Sequence, residues 1–226
     1  IIAYNAESVL TETTRPNGVL LAQITPRGGR ISGTSSVVQL NAWNWKEAVI
    51  KENDGIHLNF PSNFKKGRRA ENGVIEVNKD YSEEIQKIKE YFTKAKAYNL
   101  DSSKERNLVL EANKGLFNGS QKLYIHADEE KQIIDAIALF ESLGIKNLVV
   151  VGGYEANKIA EILAEKNIPV LLKRVHDMPV LDEDPTDLPF KLANDLVKKG
   201  VLVGLENSGD MERMNTRNLP FLAGTC

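Results

Sequence analysis

The chain has 226 residues, 42 % of them hydrophobic, with 29 Lys and Arg against 31 Asp and Glu and a formal net charge of -2. A near-neutral chain without a long basic run lacks the electrostatic footprint of a general nucleic-acid binder, and no stretch approaches the roughly 18 uninterrupted apolar residues of a membrane helix. The lone cysteine, Cys226, excludes an intramolecular disulfide and a multi-cysteine zinc site.

This length suits one large α/β domain, read here as a single unit over 1–226. Gly18 to Thr25 reads as a buried strand (19–24), Ser36 to Leu40 as a second and Ile56 to Phe60 as a third, ended by Pro61. Residues 62 to 73 form a basic polar loop, and Asp80-x-x-Glu83 reads as a capping box opening a helix with Ile85, Ile88, Tyr91 and Phe92 on one face.

From Lys122 onward strand and helix alternate. Strands are expected at 122–126, 147–151, 169–172 and 201–205. Between them, Asp128 caps a helix closed by Gly144, Tyr154 to Lys166 forms the next, and Phe190 to Lys199 a third closed by Gly200. Such alternation predicts a mostly parallel sheet with helices outside, in a barrel or a doubly wound fold. The short turn at Gly33 also allows the first strands to be hairpin arms. The chain begins without Met and stops at Leu222-Ala-Gly-Thr-Cys226, inside a helical pattern, so it reads as a fragment of a longer protein.

Five features bear on chemistry. Gly28-Gly29-Arg30-Ile-Ser-Gly33-Thr34 follows a strand, but Thr34 stands where a P-loop needs Lys and Arg30 where a dinucleotide fingerprint needs Gly. It reads either as a tight turn or as a substrate loop presenting backbone N–H groups. His126 ends a strand, where parallel barrels gather active residues, and is expected to face the mouth near that loop. His57 and His176 also lie near strand ends and open the alternative of a shared metal. The acidic run Asp177 to Asp187 lacks the spacing of a calcium loop. Glu206-Asn-Ser-Gly-Asp210 offers a carboxylate for proton transfer or a helix cap. Finally, Arg27, Arg30, Lys65, Lys66, Arg68 and Arg69 are either an acidic-substrate patch or solvated charges.

Taken in order, four motifs resemble imidazolonepropionase-related amidohydrolases. They are Gly18-Val-Leu-Leu-Ala-Gln-Ile-Thr-Pro-Arg-Gly-Gly-Arg-Ile-Ser-Gly-Thr-Ser-Ser-Val-Val, Tyr124-Ile-His-Ala-Asp128, Val149-Val-Val-Gly-Gly-Tyr-Glu-Ala156 and Asn218-Leu-Pro-Phe-Leu-Ala-Gly-Thr225. The resemblance implies a (β/α)8 TIM-type barrel of the metal-dependent hydrolase superfamily. Only the middle and later part would be present, without the first strand and the flanking β-sandwich. It also implies zinc or another divalent metal for the family, held in part by His126 and with His57 at a second ligand position. Glu206 or Asp210 would accept the proton.

This chain departs from the family pattern at several places. It has no His-x-His, His57 stands where a Lys or Glu is expected, and Gly152 and Gly153 stand where a further His is expected. A complete metal site is therefore not expected in this segment.

Two functions follow. One is a metal-dependent hydrolase of C–N bonds in a cyclic amide or dipeptide-like small molecule. The other is a degenerate barrel used for binding or assembly. Neither nucleic acid nor an integral membrane segment is expected. A homo-oligomer is compatible with the sequence, and the compartment is open between bacterial cytoplasm and export to the periplasm.

Overall fold

The computed structural model describes residues 4–66, 75–101, 105–173, 175–180, 184–207 and 212–226. In chain order the elements are α1 (Val9–Thr14), β1 (Leu21–Ile24), β2 (Ile31–Gln39), α2 (Trp45–Ala48), β3 (Val49–Asn59), β4 (Phe64–Lys66) and β5 (Ile75–Val77). They continue with α3 (Tyr81–Leu100), α4 (Leu108–Glu111), α5 (Lys114–Asn118), β6 (Lys122–Ala127), α6 (Glu130–Ser142), β7 (Leu148–Gly152), α7 (Ala160–Glu165), β8 (Val170–Lys173), α8 (Leu188–Lys198), β9 (Val203–Glu206) and α9 (Leu219–Thr225).

Seven strands form one curled sheet in the order β1-β2-β3-β6-β7-β8-β9, and β4 pairs with β5 as a separate ribbon. The pairings from β3 through β6, β7 and β8 to β9 are all parallel, while β1–β2 and β2–β3 are antiparallel. The result is an α/β half-barrel with a mostly parallel sheet.

Strand alternation divides the side chains between two faces. Ile56 and Leu58 of β3, Leu123 and Ile125 of β6, Leu148 and Val150 of β7, and Val170 and Leu172 of β8 join the main core with residues of α3, α6, α7 and α8. In α6 the buried Ile133, Ala136, Ile137 and Phe140 recur at i, i+3, i+4 and i+7, so one stripe of the helix meets the sheet. Phe92 of α3 lies edge-on to Phe140, with ring centroids 5.2 Å apart. On the inner face, Tyr124, Val149 and Val151 form a smaller buried cluster backed by Leu171.

The later strands fall where the sequence places them. The first is shorter than read and not buried: β1 begins at Leu21, which is exposed, as is Leu20 before it. The next two are longer. β2 starts at Ile31 and β3 at Val49, so Gly33, Thr34 and Ser35 lie inside a strand and only the start of the glycine segment is a loop. Pairing between β2 and β3 holds these polar stretches in the sheet, which a count of apolar residues misses. Phe64 to Lys66, read as loop, is β4.

Both expected caps also differ. Asp80 makes no side-chain cap to α3 and instead binds Lys65 at 2.6 Å. The residue preceding α6 is Glu129 rather than Asp128, and Gln132 Oε1 accepts the N–H of Asp128 at 2.9 Å. The segment read as one helix from Tyr154 has a 3-10 turn at Ala156–Ile159 and becomes α-helical only at Ala160.

Because Phe140 is fully buried between α3 and the sheet, Phe140→Ala is expected to destabilise the fold by roughly 3–5 kcal/mol. A urea titration followed by far-UV circular dichroism measures this.

Candidate functional site

The parallel register of β3 and β6 sets His57 opposite Tyr124 and Asn59 opposite His126. Period-two alternation then puts all four residues on the inner face. His57 is 4 % exposed and stacks on Tyr124, with centroids 4.6 Å apart and planes 3° from parallel. Its Nδ1 lies 2.9 Å from Nε2 of His126. His126 in turn sets Nδ1 3.3 Å from Nζ of Lys173, the last residue of β8. Glu206, at the end of β9, is the register partner of Lys173, and its Oε1 lies 3.5 Å from the ammonium. His126, Lys173 and Glu206 thus come from the C-terminal ends of three parallel strands, the position at which such sheets carry their sites.

Beneath His57 lies a buried carboxylate. Asp54, 2 % exposed, accepts hydrogen bonds from the Tyr124 hydroxyl at 2.6 Å and from Gln23 Nε2 at 3.0 Å. Lys51 and Lys122 approach it at 2.8 and 3.4 Å. The neighbouring Gly55 is required here: a Cβ on it would come within 2.5 Å of the Tyr124 ring and of the Lys122 carbonyl. The tyrosine ring can therefore lie flat across β3 and reach the carboxylate.

Burial raises the proton affinity of Asp54, but the hydrogen bonds from Lys51 and Tyr124 and the charges of Lys122 and Lys51 outweigh it, leaving the pKa at about 2. Burial pushes the Tyr124 hydroxyl upward, reinforced by the bond to Asp54. Desolvation lowers His57 to about 4, with Lys173 adding to the effect and Asp54 opposing it. His126 falls to about 3 through desolvation, the charge of Lys173 and the proximity of His57. Both imidazoles are neutral at pH 7.

The loop before β2 covers this end of the sheet. Gly28 and Gly29 have φ of 87° and 68°, and Asn59 donates from its backbone to the Arg30 carbonyl at 2.8 Å and from Nδ2 to the Gly29 carbonyl at 2.8 Å. Arg30 is engaged with Glu84 at 2.6 Å and the Asn59 carbonyl at 3.0 Å. Gly33 is the register partner of His57 within β2. His176 stands apart, against Thr225 and Phe190. Asp210, Arg68 and Arg69 lie outside the described residues.

A groove of about 570 Å³ opens at the other end of the sheet, lined by Lys51, Asn53, Arg106 and Lys114 among others. It lies by the N-terminal ends of the parallel strands and contains neither histidine nor Lys173.

The fit of a divalent metal can be judged from this geometry. Both ring nitrogens of His126 are engaged, one with His57 and one with an ammonium. Among the described residues no group of three or more His, Cys, Asp or Glu side chains gathers as a metal would require. β7 ends at Gly152 and Gly153 follows it, neither with a donor side chain, and a Cβ on Gly152 would collide with the Asp128 carboxylate. Two imidazoles beside a fixed positive charge do not fit a catalytic metal, which needs about three protein ligands with free lone pairs.

No protein-family model matches the chain, and no curated protein does. Among solved structures it is similar to an amidohydrolase from Thermotoga maritima MSB8, with a TM-score of 0.81 and 25 % identity over 98 % of this chain and 59 % of that one. The fold is amidohydrolase-like, and the chain spans 59 % of the length of that neighbour. No helix among the described residues is long and apolar enough to cross a membrane.

Sequence reasoning named His57, His126 and Glu206 but missed Lys173, Asp54 and Tyr124. Lys173 had a readable signal. It lies two residues beyond Leu171, so a strand running to its end carries both on one face. Asp54 had none, because it lies in a polar stretch before the apolar run that marked the strand.

Neutral buried histidines make stability pH-dependent. Their folded pKa values of about 4 and 3 lie below the unfolded value of 6.5, so their contribution is complete above pH 6.5 and is lost as pH falls toward 3. The Asp54 contribution is lost lower, between 3.8 and about 2. The urea midpoint is expected to fall between pH 6.5 and 4, and His126→Asn to flatten that fall.

Proposed function

We propose that this chain is the larger part of a hydrolase-like protein of amidohydrolase architecture, acting on a C–N bond of a cyclic amide or dipeptide-like substrate at the inner-face cluster. One observation carries the reading. In an amidohydrolase-like fold, His57, His126, Lys173 and Glu206 converge at the C-terminal ends of the parallel strands. The resemblance to imidazolonepropionase-related sequences supports the same substrate class. Within this cluster, Lys173 orients a substrate carbonyl, the uncharged imidazoles shape the floor, and Glu206 is the carboxylate placed to take up a proton. Asp210 remains the second candidate for that role. The described donors around His126 do not fit a metal.

The ammonium beside His126 and the glycines ending β7 favour a second reading, in which the barrel binds a small molecule without turning it over. The full-length protein separates the two. Dihydrouracil and a set of dipeptides are incubated with it and followed by chromatography. Hydrolysis of at least one, reduced about 100-fold or more by Glu206→Gln, is the outcome expected for a hydrolase. Saturable binding with no product assigns the barrel to binding.

A further inference from the structure

The polarity of the histidine chain follows from the chemistry of Lys173. An ammonium has three donors and no acceptor. Its contact with Nδ1 of His126 therefore requires a lone pair on that nitrogen. Neutral His126 then carries its proton on Nε2 and donates it to Nδ1 of His57. His57 in turn carries its proton on Nε2. That atom is buried and has no hydrogen-bond partner among the described residues, on a side chain 4 % exposed. A buried N–H without an acceptor costs roughly 1–3 kcal/mol. Its orientation records which kind of atom the site lacks. The Nδ1 lone pairs of both imidazoles and the N–H of His126 are used within the chain, and only the N–H of His57 is left without an acceptor among the described residues.

We propose that Lys173 serves as the cation of this site, that the site excludes divalent metal, and that it receives a neutral carbonyl oxygen of a small molecule. The preference for a neutral oxygen comes from Glu206. Its carboxylate lies 3.5 Å from the ammonium, offsets the charge, and repels a second carboxylate. A carbonyl accepts a hydrogen bond from the ammonium without meeting that repulsion. The inference rests on the inner-face cluster being the functional site. Its readouts are tautomer, metal affinity and binding, so its failure is distinct from a failure to hydrolyse.

The test uses the full-length protein labelled with 15N-histidine. Long-range 1H–15N spectra at pH 7 are expected to show His57 and His126 both protonated on Nε2, and protonation of His126 on Nδ1 overturns the proposal. Zinc affinity is then measured by competition with a chromophoric chelator. Lys173→Met frees Nδ1 of His126 and is expected to raise zinc affinity at least tenfold, a gain removed by adding His126→Ala. Near-stoichiometric zinc in the unsubstituted protein that is lost with His126→Ala, or no gain in Lys173→Met, overturns it. Dihydrouracil is expected to shift the histidine resonances at concentrations where acetate does not. The reverse order overturns the carbonyl assignment.

Discussion

Asp54 is a carboxylate almost wholly removed from water, and the inner face of the sheet is arranged around keeping it charged. A lone buried carboxylate is costly, and the usual response is protonation. Here two lysines, a tyrosine hydroxyl and a glutamine amide surround it. The consequence extends beyond one residue. Tyr124 cannot rotate away without abandoning the carboxylate, so its ring is a fixed plate, and His57 stacks on that plate nearly parallel. A fixed His57 gives His126 a fixed partner. The position of the histidine pair is thus set from below, by electrostatics, before any ligand is considered.

The two faces of the sheet do different work. Toward the helices, alternate residues of β3, β6, β7 and β8 enter a continuous apolar core that supplies most of the burial. Toward the inside the polar residues lie on β3 and β6, where Asp54, Tyr124, His57 and His126 follow one another, and at the ends of β8 and β9, where Lys173 and Glu206 stand. Val149 and Val151 of β7, level with Tyr124 and His126, form with Leu171 an apolar patch between those two groups. The low proton affinity of both imidazoles reflects the same desolvated surroundings, with Lys173 as an added positive neighbour.

The parallel half of the fold was legible because its strands are short, β-branched and bounded by glycines, and because the stripe of α6 repeats at helical spacing. The antiparallel part was less so. β3 runs for eleven residues, yet only its last four read as a strand, since Lys51, Glu52, Asn53 and Asp54 are charged or polar. They belong to the strand because it pairs with β2 on both sides of an irregularity at Asn53, whose φ is 51°, a tertiary effect outside any local window. The site shows the same division. His126 could be named from its place after an apolar run, whereas its contact with Lys173 crosses β7 and is 47 residues distant in the chain. Arg30 illustrates the opposite error. It is an exposed cation in a glycine loop by sequence, and in the fold it is engaged with Glu84 of α3 and the end of β3.

Lys173 and Glu206 also explain how a mouth built from neutral imidazoles keeps a defined polarity. Two uncharged histidines in contact can share their proton in either direction, and each direction exposes a different kind of atom. Placing an ammonium at one end removes the degeneracy, because only an acceptor can face it. Placing a carboxylate beside that ammonium balances its charge without reversing the order, since Glu206 contacts the lysine and not the ring. The arrangement therefore needs four strands in fixed register: β3 and β6 for the rings, β8 for the cation and β9 for its counter-charge. β7 contributes by what it leaves out. Its Gly152 yields space to the Asp128 carboxylate at the strand end, and Val151, one residue earlier, lines the apolar patch across which Lys173 reaches His126. A larger polar residue in place of Val151 would put another donor or acceptor beside the histidines and reopen the choice of direction.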